Sequence, residues 1–200
     1  ALDVTGVAKR GGDYVPGALE IAVNKDWITR AAVDEIVTFG SDRKAWLAFC
    51  AGVDHAEAVR DAIRERDITC ETVTGETPAG DRDRIIKAFR AGQIRCLTSV
   101  GVLSTGFNVP HVDLVALLRP TQSAGLYVQS VGRAFRLAPG KTNALILDFA
   151  GNTKRHGPVD AVEPAAGPKG GGEGEGEVRA KECPDCATLV ALNARSCPTC

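Results

Sequence analysis

Short apolar runs recur along residues 41–158, and each is followed by a longer segment of mixed polarity. The runs are four to seven residues long and mostly apolar; they are residues 44–50, 68–73, 94–97, 112–118 and 143–149. Runs of this length and composition are typical of parallel strands buried on both faces. Because strands alternate with helix-length segments, the pattern predicts an α/β fold with a parallel sheet and flanking helices.

The segments between the runs carry recognisable helix boundaries. The first predicted helix extends to about Arg66. The second is predicted to begin with the Thr77 hydroxyl as its N-cap and Pro78 at its first position, and to end at Gly92. The third is predicted to continue to Arg136, beyond the carboxyl end of a strand, where ligands of parallel sheets usually bind.

The composition divides the chain into four parts. Residues 1–40 are predicted to be a connector with two helices, at 18–24 and 26–38, and residues 41–158 the sheet domain. Residues 159–181 are rich in Gly and Glu and are expected to form a flexible linker, and residues 182–200 hold four cysteines. The chain begins with Ala1 and ends with Cys200, so we expect it to be part of a longer polypeptide.

Charge and hydropathy exclude little. The net charge is −1, but residues 41–156 carry 16 Lys/Arg against 12 Asp/Glu, a net charge of +4. A mildly basic domain suits a phosphate-binding protein, although an ordinary mixed surface would look the same. No signal peptide and no apolar run of about 18 residues is present, so we expect a cytoplasmic protein without a membrane span.

The last 18 residues contain two C-x-x-C pairs, Cys183 with Cys186 and Cys197 with Cys200, separated by ten residues. Four thiolates in this spacing predict a closed tetrahedral Zn²⁺ site, with a redox pair or an iron centre as alternatives. Cys50, Cys70 and Cys96 lie within the predicted strands and are expected to be inert core thiols.

Two arginines mark the end of the third predicted helix. Arg133 and Arg136 are three residues apart, so a helix would place both on one face. Paired guanidiniums suit a polyphosphate, because each offers a planar and permanently charged set of donors. Two ordinary surface arginines are the alternative interpretation.

The segment from Ile94 to Arg136 resembles a known family. Its Gln129-x-x-Gly132-Arg133-x-x-Arg136 is similar to motif VI of superfamily 2 helicases and translocases, and residues 97–110 are similar to their motif V. The resemblance covers about residues 42–158 and is strongest to RadD-like DNA helicases. It implies the second RecA-like domain of such an enzyme. Neither G-x-x-x-x-G-K-[ST] nor D-E-x-[DH], which the first domain would carry, occurs in the chain.

The resemblance also implies roles for individual residues. Arg133 and Arg136 would be catalytic, with Arg136 as the arginine finger, and the nucleotide would contact Gly106, Asn108, Gln129 and Gly132. Nucleic-acid phosphates would lie against Gly75, Arg82, Thr98 and Ser99. The alternatives are simple turn formers for the small polar residues and an exposed helix charge for Arg82.

The expected function is the C-terminal ATPase half of an ATP-dependent DNA helicase or translocase. Its cofactors would be ATP with Mg²⁺, shared with an N-terminal RecA-like domain, and Zn²⁺. Its partners would be nucleic acid bound without sequence preference, DNA rather than RNA, and a possible protein at the zinc ribbon. The alternative is a non-catalytic module that binds nucleic acid or protein through the same fold.

Overall fold

The computed structural model describes residues 2–102, 109–162, 180–192 and 194–200. The strands of the described residues are β1 (Lys9–Arg10), β2 (Asp13–Tyr14), β3 (Trp46–Phe49), β4 (Cys70–Val73), β5 (Cys96–Ser99), β6 (Leu114–Leu117), β7 (Leu145–Asp148), β8 (Ala180–Glu182) and β9 (Leu189–Ala191). The helices are α1 (Pro16–Val23), α2 (Asp26–Phe39), α3 (Val53–Arg64), α4 (Ala79–Arg90), α5 (Ala124–Val131) and α6 (Asn152–His156), followed by a 3₁₀ turn at Val159–Ala161.

Five strands form one parallel sheet in the order β4-β5-β3-β6-β7. The central strand, β3, pairs with β5 on one side and β6 on the other, so that Trp46 lies opposite both Cys96 and Leu114. The predicted α/β fold with a parallel sheet is therefore confirmed.

Both faces of the sheet are covered, as the near-continuous apolar runs predicted. Leu47 and Phe49 of β3 pack into the cluster that contains Val131 of α5 and Phe89 of α4. The alternate residues, Trp46 and Ala48, pack into the cluster on the other face with α2 and α3. Successive side chains of a strand point to opposite faces, so a strand with helices on both sides must be apolar throughout.

Most strands are shorter than the predicted apolar runs, and three other boundaries that differ from the prediction bear on the candidate site. Strand β5 extends to Ser99 rather than to Leu97, because Thr98 pairs in register with Thr72 and their hydroxyls form a hydrogen bond of 2.8 Å. Helix α4 begins at Ala79, and the Thr77 hydroxyl instead accepts the amide hydrogen of Thr74, at 2.9 Å. Helix α5 ends at Val131, well before Arg136.

The N-terminal segment is joined closely to the sheet domain. Strands β1 and β2 form a hairpin whose two turn residues, Gly11 and Gly12, have φ of +63° and +83°. Positive φ at both turn positions is the requirement of a type I′ hairpin, which glycine meets without strain. In α2, Val33 and Ile36 are buried in the core with the sheet. Part of the predicted connector thus contributes to the domain's own core.

The C-terminal residues form a small hairpin. Strands β8 and β9 pair antiparallel, with Lys181 opposite Val190, and Cys183 and Cys186 follow β8 directly. None of the helices in the described ranges combines the length and the apolar content that a bilayer crossing requires.

Candidate functional site

The two candidate arginines lie on turns that follow α5. The Ser123 hydroxyl accepts the amide hydrogen of Leu126 at 3.2 Å and starts the helix. Beyond Val131 the backbone tightens into bonds to the third preceding residue, from Arg133 to Ser130 and from Ala134 to Val131. The expected placement of both arginines on the helix is therefore corrected: they belong to residues 132–137, which we term the arginine segment.

The two guanidiniums are close enough to affect each other. Both side chains are half-buried, and burial, together with the positive charge of Arg136, lowers the pKa of Arg133. An anion placed between them would relieve this repulsion. Gln129 is exposed on the last turn of α5, and Gly132 is its C-cap. Gly106 and Asn108 lie outside the described residues.

The arginine segment lies toward the amino-terminal edge of the sheet. The ammonium of Lys141 donates to the carbonyl oxygen of Arg136 at 2.9 Å and to that of Pro110 at 3.2 Å. Pro110 lies on the segment that enters β6, and Lys141 on the segment that enters β7. Helix α5 starts at the carboxyl-terminal edge, but it leads its arginines away from that edge.

The predicted nucleic-acid residues lie at the opposite, carboxyl-terminal edge. Gly75 is exposed just beyond β4, and the guanidinium of Arg82 donates to the carbonyl oxygens of Thr74 and Thr77, each at 3.2 Å. Arg82 thereby braces the loop that presents Gly75. Thr98 and Ser99 are the last residues of β5 and are fully buried. All four roles in nucleic-acid binding stay predictions.

A polar cluster at the same edge was not anticipated from the sequence. The Asp13 carboxylate accepts hydrogen bonds from the Thr121 hydroxyl at 2.9 Å and from the main-chain N–H of Gln122 at 2.8 Å. It also forms a salt bridge with the guanidinium of Arg119 at 3.1 Å. These residues are more than 100 positions apart in the chain, so no local pattern could join them. The cluster fastens the N-terminal hairpin to the loop that leads into α5.

The four C-terminal cysteines converge. Their sulfur atoms all lie within 4.8 Å of one another, and the pairs Cys183–Cys200 and Cys186–Cys197 are each separated by 3.6 Å. These separations are too long for a disulfide, whose sulfurs lie about 2.05 Å apart. A tetrahedral Zn²⁺ with bonds of about 2.3 Å needs sulfurs roughly 3.8 Å apart, so the four residues fit that ion.

The other three cysteines differ in their surroundings. Cys50, Cys70 and Cys96 are buried in or beside the sheet, and burial raises the pKa of Cys50. Hydrogen bonding with Thr188, by contrast, lowers the pKa of Cys186 to about 6. Contacts with the other three cysteines raise the pKa of Cys200, so the C-terminal group suits a metal through the convergence of its four sulfurs rather than through a shared low pKa.

The parallel sheet with helices on both faces is the fold of a RecA-like domain. The model of the helicase conserved C-terminal domain matches residues 29–138. The chain belongs to this family, which confirms the resemblance at the level of the superfamily. The narrower likeness to RadD-like enzymes stays a prediction.

Relatives and solved structures agree with this membership. A 51.5 kDa protein of Lactococcus phage (isolate 7-9) is 31% identical over the whole chain, which covers 44% of that protein. A putative mitochondrial ATP-dependent helicase, irc3 of Schizosaccharomyces pombe, is 36% identical over 58% of the chain and 19% of its own length. The chain thus spans less than half the length of these two relatives.

The solved structure of the Escherichia coli DEAD-box protein SrmB, bound to the regulator of ribonuclease activity A, has the same fold. It superposes with a TM-score of 0.53 at 20% identity and covers 60% of this chain and 71% of that one.

Proposed function

We propose that the chain is the C-terminal motor domain of an ATP-dependent DNA helicase or translocase, which contributes Arg133 and Arg136 to an ATP site shared with a second RecA-like domain. The observation that carries the proposal is the register Gln129-x-x-Gly132-Arg133-x-x-Arg136, which begins on the last turn of α5 and continues into the arginine segment, within a member of the helicase family. The relatives named ATP-dependent helicases support the same activity.

Three side chains, those of Gln129, Arg133 and Arg136, have defined parts in this proposal. Transfer of a phosphoryl group to water depends on positioning and on neutralising charge at the phosphate oxygens. Arg136 is the arginine finger, and Arg133 beside it holds a neighbouring phosphate oxygen by donating hydrogen bonds. Gln129 contacts the nucleotide from the last turn of α5. Mg²⁺, the lysine and the carboxylate that activate the reaction come from the other domain.

The carboxyl-terminal edge is the proposed track for DNA. Gly75 offers exposed backbone, and Arg82 holds its loop in shape. Contacts to phosphates by such groups carry no information about base sequence. Thr98 and Ser99 support the track from beneath, because both are buried. Nucleotide and DNA then bind at opposite edges of one rigid sheet, so the sheet can transmit movement between them.

The four-cysteine group binds Zn²⁺ in this proposal. Cys183, Cys186, Cys197 and Cys200 supply one sulfur each, and the ion closes the end of the β8–β9 hairpin. The hairpin then offers a second surface for DNA or for a protein partner.

The decisive experiment compares arginine variants in the full-length polypeptide that carries this chain. Arg136→Ala should lower kcat for DNA-stimulated ATP hydrolysis by on the order of 10³-fold. Arg60→Ala is the matched control, because Arg60 lies on α3 at the other face of the sheet and pairs with Asp61. Unchanged hydrolysis in Arg136→Ala would favour the non-catalytic binding module instead.

Two measurements on the 200-residue chain alone complete the test. It should not hydrolyse ATP, because half of the site lies elsewhere, and magnesium-dependent turnover by this chain would contradict the proposal. Its binding to single-stranded DNA should be weak and should fall steeply as salt rises. Binding that does not change with salt concentration would contradict the proposal that DNA phosphates bind at the carboxyl-terminal edge.

A further inference from the structure

The side chain of Lys141 connects two backbone segments, one of which is the arginine segment. Its ammonium donates hydrogen bonds to three carbonyl oxygens, those of Pro110, Ala134 and Arg136. An ammonium group has three donors, so all of them are used by main-chain acceptors. Burial lowers the pKa of Lys141, an effect that nearby Asp113 opposes. This half-buried lysine therefore binds the main chain with all three of its donors.

The sequence around Lys141 explains how it reaches this place. Pro139 and Gly140 form a tight turn, closed by a hydrogen bond from the Lys141 amide to the Ala138 carbonyl oxygen at 3.1 Å. Gly140 has φ of +75°, as the third position of a type II turn requires, and proline is favoured at the second. The turn reverses the chain directly after the arginine segment, so Lys141 returns to meet it.

The backbone of the arginine segment needs hydrogen-bond partners from outside α5. It continues α5 without the regular helical ladder, and carbonyl groups at a helix end have no partner within the helix. A cation near these carbonyls also stabilises the negative end of the helix dipole. Pro110, the third acceptor, is the last residue of segment 97–110, which carries the resemblance to motif V.

We propose that Lys141 is a positioning residue for Arg133 and Arg136. Its ammonium fixes the backbone of the arginine segment to the segment that enters β6, and so sets the direction in which the two guanidiniums project. Lys141 itself does not touch the nucleotide. The inference deepens the proposed function and rests on it for the role of the arginines, whereas the backbone fastening can be tested separately.

The first test measures local order in the 200-residue chain. Lys141→Met keeps an unbranched side chain but removes all three donors, and Lys154→Met, at an exposed position on α6, is the matched control. The amide of Ala134 donates to the carbonyl oxygen of Val131, and that of Phe135 donates to Gly132. Hydrogen exchange at these two amides should rise at least about 10-fold in Lys141→Met alone.

Two outcomes of the hydrogen-exchange measurement would contradict the inference. Unchanged exchange at Ala134 and Phe135 would overturn it, as would an equal rise at Leu47 in the centre of the sheet, which would indicate global destabilisation. If Lys141→Met does not fold, Gly140→Ala replaces it. That variant keeps the ammonium but strains the turn that places it, and the same local rise is expected.

The second test measures catalysis in the full-length polypeptide. Lys141→Met should lower kcat about 10-fold while KM for ATP changes less than about 3-fold, and Lys141→Arg should retain more activity because it keeps a charged donor. In an Arg133→Ala/Arg136→Ala background, Lys141→Met should add less than about a 2-fold loss, because Lys141 acts only through these two arginines.

The outcomes separate the two proposals. A loss from Lys141→Met that is as large in the Arg133→Ala/Arg136→Ala background as in the wild type would overturn the positioning role and leave the arginine finger intact. If Arg136→Ala itself retains activity, the proposed function fails, and the exchange measurement still decides whether Lys141 orders the segment.

Discussion

The sheet domain and the C-terminal cysteine hairpin differ in how much apolar surface they bury. In the sheet domain, two apolar clusters cover both faces of the sheet, and Trp46, Leu47 and Phe89 are each at most 1% exposed. In the hairpin, defined as residues 180–192 and 194–200, the buried side chains of the described residues are those of Ala180, Cys183 and Val190. A hairpin with so little apolar burial is marginal in water, so we expect metal ligation by the four cysteines to supply the stability that the core does not.

The largest effect is expected from removing the metal. Chelation should unfold the hairpin completely and leave the sheet domain folded, because structural Zn²⁺ contributes on the order of 10 kcal/mol to domains of this kind. The measurement is metal content, expected at one Zn²⁺ per chain, together with amide exchange in β8 and β9. Cys197→Ser should lose the metal.

The sheet thiols provide the control for that experiment. Cys70→Ala removes a buried cysteine from β4 and should keep one Zn²⁺ per chain. A hairpin that keeps its exchange protection after the metal is removed would show that the comparison between the two regions is wrong.

A core substitution should have the converse effect. Leu47→Ala empties the centre of β3 and should lower the free energy of unfolding of the sheet domain by about 2–5 kcal/mol. Metal content should not change. Leu192→Ala, at a side chain that is 58% exposed in the hairpin, is the control and should change the unfolding of the sheet domain by less than about 0.5 kcal/mol. Loss of zinc in Leu47→Ala would mean that the two regions depend on each other.

The smallest effect on stability is expected from lowering the pH. His55 is buried at the start of α3, and burial lowers its pKa from 6.5 to about 4. Between pH 6.5 and about 4, His55 is protonated in the unfolded chain but not in the folded chain. The free energy of unfolding therefore has its full value above pH 6.5 and decreases as the pH falls toward 4. The loss should be at most on the order of 3 kcal/mol.

Fluorescence of buried Trp46 during denaturant unfolding measures this loss in the sheet domain. The pH dependence should be shallower in His55→Asn, which cannot titrate. An equally steep dependence in that variant would assign the acid sensitivity to other groups.

The sheet was predictable because each strand can be recognised from the composition of its own residues. A strand covered on both faces must be apolar at every position, and β3 and β6 are. The boundary of β5 was missed because Thr98 and Ser99 look like loop residues, and only their partners on neighbouring strands show otherwise. The early end of α5 was missed because a helical spacing of arginines is equally compatible with tightened turns.

The candidate site was predictable only in part for the same reason. The register from Gln129 to Arg136 and the spacing of the four cysteines are local, and the sequence therefore showed them. Lys141 and Asp13 act through backbone and side-chain groups from distant segments, and neither belongs to a motif. The Pro139-Gly140 dipeptide was the one available signal for Lys141, because it marks a turn.

The order of the strands has a consequence for synthesis on the ribosome. Trp46 of the central strand pairs with Cys96 and Leu114, which are made 50 and 68 residues later. At about 5–20 residues per second, β3 waits several seconds before either neighbour emerges, with apolar side chains destined for both faces. Helices α2 and α3 are complete before then and can shelter one of those faces. The other face depends on α4 and α5, so a nascent chain that pauses before Val131 would present it to chaperones.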